Sequence, residues 1–109
     1  MTDDDNADRQ FSEYRRLMHL EYVRMIESDP SIVDQARRVI AVRLRGSRAA
    51  QALLAWEKLL QMPTQTIIQA MTEDAPEGEF LRMASPFHRL LGGRGFKGQA
   101  ALWAKAAPR

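Results

Sequence analysis

From Phe11 to about Ser28 the residues Tyr14, Leu17, Met18, Tyr22, Met25 and Ile26 recur at spacings of three and four. That period places them on one face of a helix. Ser12 is its candidate N-cap, because a serine hydroxyl accepts from the early orphan N–H groups. Ser28-Asp29-Pro30 then ends this helix and starts another. Pro30 suits a first helical position and Asp29 the cap before it. Ile32, Val33, Ala36, Val39, Ile40 and Leu44 form the second apolar stripe, which stops at Gly46. Its β-branched residues lower helix propensity by only tenths of a kcal/mol each, so roughly helical periodicity decides the assignment.

Ser47 can cap a third helix through about Gln61, built on Ala49, Ala50, Leu53, Leu54, Trp56, Leu59 and Leu60. Met62-Pro63 ends it, and Pro63-Thr64 opens a shorter helix whose buried side is Ile67, Ile68 and Met71. Glu73 to Gly78 reads as a polar loop with a possible new start at Pro76. Phe80, Leu81 and Met83 add one or two further turns. Ser85-Pro86-Phe87 reads as a break, since the residue before a proline is pushed out of the helical region. Leu90 and Leu91 close the apolar part. Gly92 to Gly98 holds four glycines, and a last amphipathic segment from about Gln99 to Ala107 carries Leu102 and Trp103. No stretch alternates with period two. The pattern predicts an all-α fold: a bundle of about five helices over residues 11–91, an acidic disordered tail over 1–10, and a Gly-rich loop with a short C-terminal helix over 92–109.

Composition changes little in this picture. Hydrophobic residues at 45% and charged residues at 28% are ordinary for a globular chain of 109 residues, which argues against bulk disorder. The absence of cysteine removes disulfides, thiolate metal sites and a thiol nucleophile together. No apolar run approaches the roughly 20 residues of a membrane span, and the acidic start lacks the apolar core of a signal peptide. A cytoplasmic location is the expectation.

Charge is more informative. The net charge of +2 conceals Asp3, Asp4, Asp5 and Asp8 at one end and a cationic remainder. No acidic residue follows Glu79. Arg37, Arg38, Arg43, Arg45 and Arg48 form a cluster with no acid inside it. Such a cluster is either a solvated helix face or a surface for nucleic acid or an acidic partner.

The candidate chemistry is sparse. Gly93-Arg94-Gly95-Phe96-Lys97-Gly98 matches a G-x-G-x-x-G pattern, yet no strand precedes it and no acid lies about 20 residues beyond it, so a dinucleotide site is not expected. It reads as a tether, or as a loop in which Arg94 and Lys97 meet a partner or phosphates and Phe96 stacks on a base. A helix-turn-helix across Gly46, with Arg48 and Gln51 at the reading end, conflicts with the length of the helix before it and the apolar girth of the helix after it. His19 and His88 have no carboxylate or histidine at ligand spacing, and His19 reads as a surface or boundary residue. Ser85 lacks a nucleophile elbow, and Glu73, Asp74, Glu77 and Glu79 lack the spacing of a calcium loop. No catalytic residue, cofactor or metal is expected. Trp103 stands out because its short alanine-rich helix is too short to be stable alone; it must fold back on the body or dock on a partner.

Several elements together resemble a small helical domain of bacterial antitoxin-like regulatory proteins encoded beside toxins. They are His19, Asp29-Pro30, Ala36-Arg37, Trp56-Glu57-Lys58-Leu59-Leu60, Leu81-Arg82, Ser85-Pro86-Phe87 with Leu90-Leu91, and Trp103. The likeness begins after an acidic stretch rather than after a DNA-binding domain. It therefore implies binding of a protein, a toxin or other enzyme, rather than direct operator binding. The expected function is a non-enzymatic interaction protein whose partner meets Arg94, Phe96, Lys97 and Trp103. The alternatives are a nucleic-acid-binding regulator using the five arginines of the second helix region with the Arg94/Lys97 loop, and a phage- or plasmid-borne inhibitor.

Overall fold

In the computed structural model, which describes residues 3–46, 50–92 and 98–107 with side chains from residue 6 on, one long helix serves as the spine. This is α1 (Asp3–Ser28), followed by α2 (Ser31–Gly46), α3 (Gln51–Leu59), α4 (Thr64–Thr72), α5 (Pro76–Met83), α6 (Pro86–Leu91) and α7 (Gln99–Lys105). α1 packs against α2, α4, α5, α6 and α7, while α2 also meets α3 and α6, and α5 meets α3 and α4. No strand occurs among the described residues, and none of their helices is long and apolar enough to cross a membrane.

The expected stripes supply the core. Met18, Tyr22 and Ile26 from α1 meet Val33, Ala36 and Ile40 from α2, Leu53 and Trp56 from α3, and Ile67 and Met71 from α4. Phe87 and Leu91 of α6 complete it. Trp56 is fully buried; its indole N–H donates to the Leu81 carbonyl at 2.8 Å, and its ring meets Phe87 edge-on at 5.7 Å. The hydrogen bond lets a large apolar ring enter the core without leaving its one polar atom unmet.

Three local expectations are corrected. The tail is helical from Asp3 onward. Asp3, Asp4 and Asp5 occupy the first turn, where negative charge favours a helix through its macrodipole, and the next turns are held by α7: Gln10 donates to the Trp103 carbonyl at 2.8 Å. Ser12 is therefore inside α1 rather than at its start, and its hydroxyl donates to Glu79 instead of capping. The described residues hold seven helices, against about five and a C-terminal segment, because Ser85-Pro86-Phe87 starts an element as well as ending one. The Ser85 hydroxyl accepts from the N–H groups of Phe87 and His88, and Pro86 takes the first helical position. At Asp29, by contrast, stop and start fall as read: its carboxylate accepts from the Ser31 N–H and hydroxyl.

α4 and α5 join through a close approach. The guanidinium of Arg82, buried on α5, donates to the Met71 and Glu73 carbonyls at 3.2 and 2.7 Å, closing the C-terminal end of α4. Gly78 makes room for this, since a Cβ there would lie 2.1 Å from the Glu73 oxygen and 2.8 Å from Arg82 Nη1. Gly78→Ala should therefore destabilise the protein by roughly 1–3 kcal/mol through overpacking, although alanine is the better helix former by about 1 kcal/mol. Gly46→Ala, where nothing lies within 4 Å, should be neutral or slightly stabilising. Urea denaturation of the two variants checks the contrast; equal effects would show that the crowding at Gly78 does not matter.

Candidate interaction surfaces

Several titratable groups with shifted titration gather along one side of α1, with His19, Tyr22 and Arg82 buried and Glu79 partly exposed. Ser12 and Arg15 both donate to the Glu79 carboxylate of α5, at 2.7 and 2.5 Å, and Arg82 Nη2 lies 3.7 Å from it. Burial pushes the Glu79 carboxyl up, but the Ser12 and Arg15 hydrogen bonds and the charges of Arg15 and Arg82 outweigh it, so the group sits below its ordinary value. His19, one turn on, is buried rather than at the surface as expected from its place beside the stripe. Its Nδ1 lies 2.7 Å from the Arg15 carbonyl. A carbonyl only accepts, so this nitrogen carries the hydrogen. Nε2 of the neutral ring is then a lone-pair acceptor, and it has no partner. Burial holds the imidazole at about 4, and the cations Arg82 and Arg15 and nearby His88 press the same way. Next in line, the Tyr22 hydroxyl meets His88 Nδ1 at 2.9 Å, with its own titration pushed up by burial.

This seam fastens α5 and α6 to α1. Its charged members are consumed by one another, and no group of three His, Asp or Glu suited to a metal occurs among the described residues. Perturbed titration marks functional sites only where the group can also reach a ligand, and His19 is sealed.

The outer surface offers three different faces. The first lies between α3 and α5, where Ala55, Pro76, Glu77, Phe80 and Leu81 line a hollow of about 440 Å³. Phe80 is 46% exposed and Met83, one turn on, 68%; Leu54, next to Ala55 on α3, is also exposed. The sequence pattern counted all three among the apolar residues that build these helices, without saying which of them turn outward. Only Leu81 of the α5 group packs against the core, and apolar spacing alone cannot say which of Phe80, Leu81 and Met83 turns inward. The available signal was position: Arg82, the residue between Leu81 and Met83, is the one α5 buries most deeply beside Gly78.

The second face carries Trp103. Its ring lies 4.8 Å from that of Phe11 and 5.5 Å, edge-on, from that of Tyr14. With Gln99 and Ala100 these three rings line a shallow hollow of about 350 Å³. Gln99 Nε2 also donates to the Gly92 carbonyl at 2.7 Å, clasping the two ends of the glycine-rich segment. Gly98 has φ of 116°, a left-handed conformation open to glycine, as the chain turns into α7. The C-terminal helix thus folds back on α1 and presents its tryptophan from a docked position. Arg94, Phe96 and Lys97 lie outside the described residues.

The third face is basic. Arg38, Val39, Val42 and Arg43 of α2 and Arg89 of α6 line a hollow of about 240 Å³. The arginines proposed from sequence for nucleic acid are divided by the structure. Arg37 points to the α3 side, donating to the Leu60 carbonyl at 2.9 Å and pairing with Asp34; it lines a separate hollow with Glu57. Arg43 reaches the Ala84 carbonyl at 3.5 Å, Arg45 is exposed near the end of α2, and Arg48 lies outside the described residues. Arg89 was not singled out beforehand, because only the packing of α6 on α2 brings it there.

No family model, curated protein or solved structure matches this chain. What it does must be argued from these faces.

The seam yields a pH prediction. Because His19 titrates at about 4 when folded against an ordinary 6.5, the unfolded chain takes up a proton that the folded one refuses between those values. Stability is complete above about pH 6.5 and should fall by roughly 3 kcal/mol as the pH drops towards 4. Glu79, held below its ordinary value, adds its loss only at lower pH. Denaturant midpoints across this range check the effect, and His19→Phe should flatten the upper part of the curve; an unchanged slope would assign the loss elsewhere.

Proposed function

We propose that this protein is a non-enzymatic regulatory module that acts by binding a partner protein, in the manner of an antitoxin. The observation that carries the reading is the α3/α5 face. Phe80 lines a largely apolar hollow there, and Met83 and Leu54, on the same two helices, are further large apolar side chains left exposed. Exposed apolar groups gathered in this way mark protein-binding surfaces. Phenylalanine supplies contact area at low entropic cost and methionine adapts to an irregular surface. The Phe11–Tyr14–Trp103 group gives a second aromatic contact on the same body, and aromatic anchors dominate interface energies.

The resemblance to antitoxin-like domains agrees with this reading, and its motif residues turn out to build the scaffold. Trp56 and Phe87 pack together, Ser85 and Pro86 start α6, and Arg82 closes α4. Binding is thus left to the outward positions of the same helices, and the partner in view is a toxin or another enzyme whose active surface is covered.

The test starts from a partner captured from the native host, identified and purified. A Phe80→Glu/Met83→Glu variant should keep its fold, since exposed substitutions usually shift stability by no more than about 0.5 kcal/mol. It should weaken partner binding at least tenfold, about 1.4 kcal/mol. Deleting residues 92–109 should leave a folded body that no longer binds. Calorimetric titration measures both; full affinity in the first variant would remove the α3/α5 face from the interface, and full affinity in the second would remove the C-terminal segment.

A further inference from the structure

The hollow between α2 and α6 is lined by three arginines and two valines, and no acidic side chain among the described residues balances them there. Arg38 and Arg89 face it from two helices and make no hydrogen bond or ion pair among the described residues. Between them Val42 is 62% exposed. The ligand this fits carries several carboxylates and an apolar part, since the guanidinium forks take carboxylates in pairs and the valines offer a floor. A bare phosphodiester backbone would use the arginines and leave the valines unmet.

The same chain carries a segment of that chemistry. Asp3, Asp4, Asp5 and Asp8 precede the first cation, Arg9, and Phe11 follows closely. Asp8 is exposed and makes no ion pair among the described residues. Within one molecule the two cannot meet. The Tyr22–His88 hydrogen bond fixes α6 beside residue 22 of α1, and at about 1.5 Å per residue Asp8 lies roughly 20 Å further along the helix. A second copy has no such restriction.

We propose that the basic α2/α6 hollow of one copy receives the acidic start of α1 from another, so that the protein self-associates through Arg38 and Arg89 against the aspartates of residues 3–8. The contact is electrostatic and largely solvated, so it is weak and sensitive to salt. This proposal is independent of the partner-binding reading, because it is tested on the purified chain alone.

Sedimentation velocity on the full-length protein should show a concentration-dependent larger species at low salt, and monomer at about 1 M salt, where the screening length is roughly 3 Å. Arg38→Glu/Arg89→Glu and Asp4→Lys/Asp8→Lys should each raise the dissociation constant at least tenfold with helicity unchanged. An equimolar mixture of the two charge-reversed proteins should associate again, because each then offers the other a complementary end. A monomer at low salt over the whole accessible concentration range would overturn the proposal. So would association untouched by either reversal, or failure of the mixture to reassociate. Low-salt binding of a labelled oligonucleotide by a chain that stays monomeric, lost in Arg38→Glu/Arg89→Glu, would assign the hollow to nucleic acid instead.

Discussion

Burying the guanidinium of Arg82 is the constraint around which much of this fold is arranged. A buried cation costs several kcal/mol unless it is paired and hydrogen-bonded. Here partners for its two Nη groups come from three directions, while its Nε has none. The end of α4 supplies the Met71 and Glu73 carbonyls, α5 supplies Glu79, and α1 supplies Ser12 and Arg15 to hold that carboxylate in place. Gly78 follows from the same geometry, because the approach of α4 leaves no room for a side chain. His19, buried beside the same seam, stays neutral chiefly because of that burial, and the charges of Arg82 and Arg15 press the same way. Short helices such as α4 and α5 have little stability of their own; this polar seam fixes their register on α1 where apolar contact alone would tolerate sliding.

The legible parts of the sequence were those where one physical rule dominates. Period-3.6 stripes located α1 to α4, and Asp29-Pro30 located a boundary because capping and proline geometry agree there. Ser85-Pro86 shows the opposite case. Proline restricts the residue before it and also suits the first turn of a helix, so the same dipeptide can end one element and begin another. The choice depended on whether Phe87 had somewhere to pack, and Trp56, thirty-one positions away, provides it. Local pattern has no access to that partner.

The same limit applied to the polar residues. Ser12 has the chemistry of a cap, and His19 sits beside an apolar stripe, where surface exposure is the common outcome. Their actual roles come from α5 lying across α1, which brings Glu79 to Ser12 and Arg82 near His19. On α5, Phe80, Leu81 and Met83 look alike as apolar residues, and burying Arg82 is what leaves Phe80 and Met83 outside. Among the arginines of α2, a run that looks uniform in sequence is split by helix geometry: Arg37 turns to Leu60 and Asp34, while Arg38 faces Arg89.

Trp103 shows how the interior and the surface depend on each other. No residue of α7 itself is fully buried, so its attachment rests on Leu102 packed against the edge of the core, the aromatic contacts with Phe11 and Tyr14, the Gln10 bond to the Trp103 carbonyl and the Gln99 clasp on Gly92. Those contacts use the turn of α1 that continues into the acidic start, which explains why residues expected to be a free tail extend the helix. Gln10 and Phe11 hold α7 while Ser12 and Arg15, on the following turn, hold α5. One stretch of α1 therefore couples the core seam to the outer helix. A partner that engaged Trp103 would act on the same turns that keep Glu79, and through it Arg82, in place.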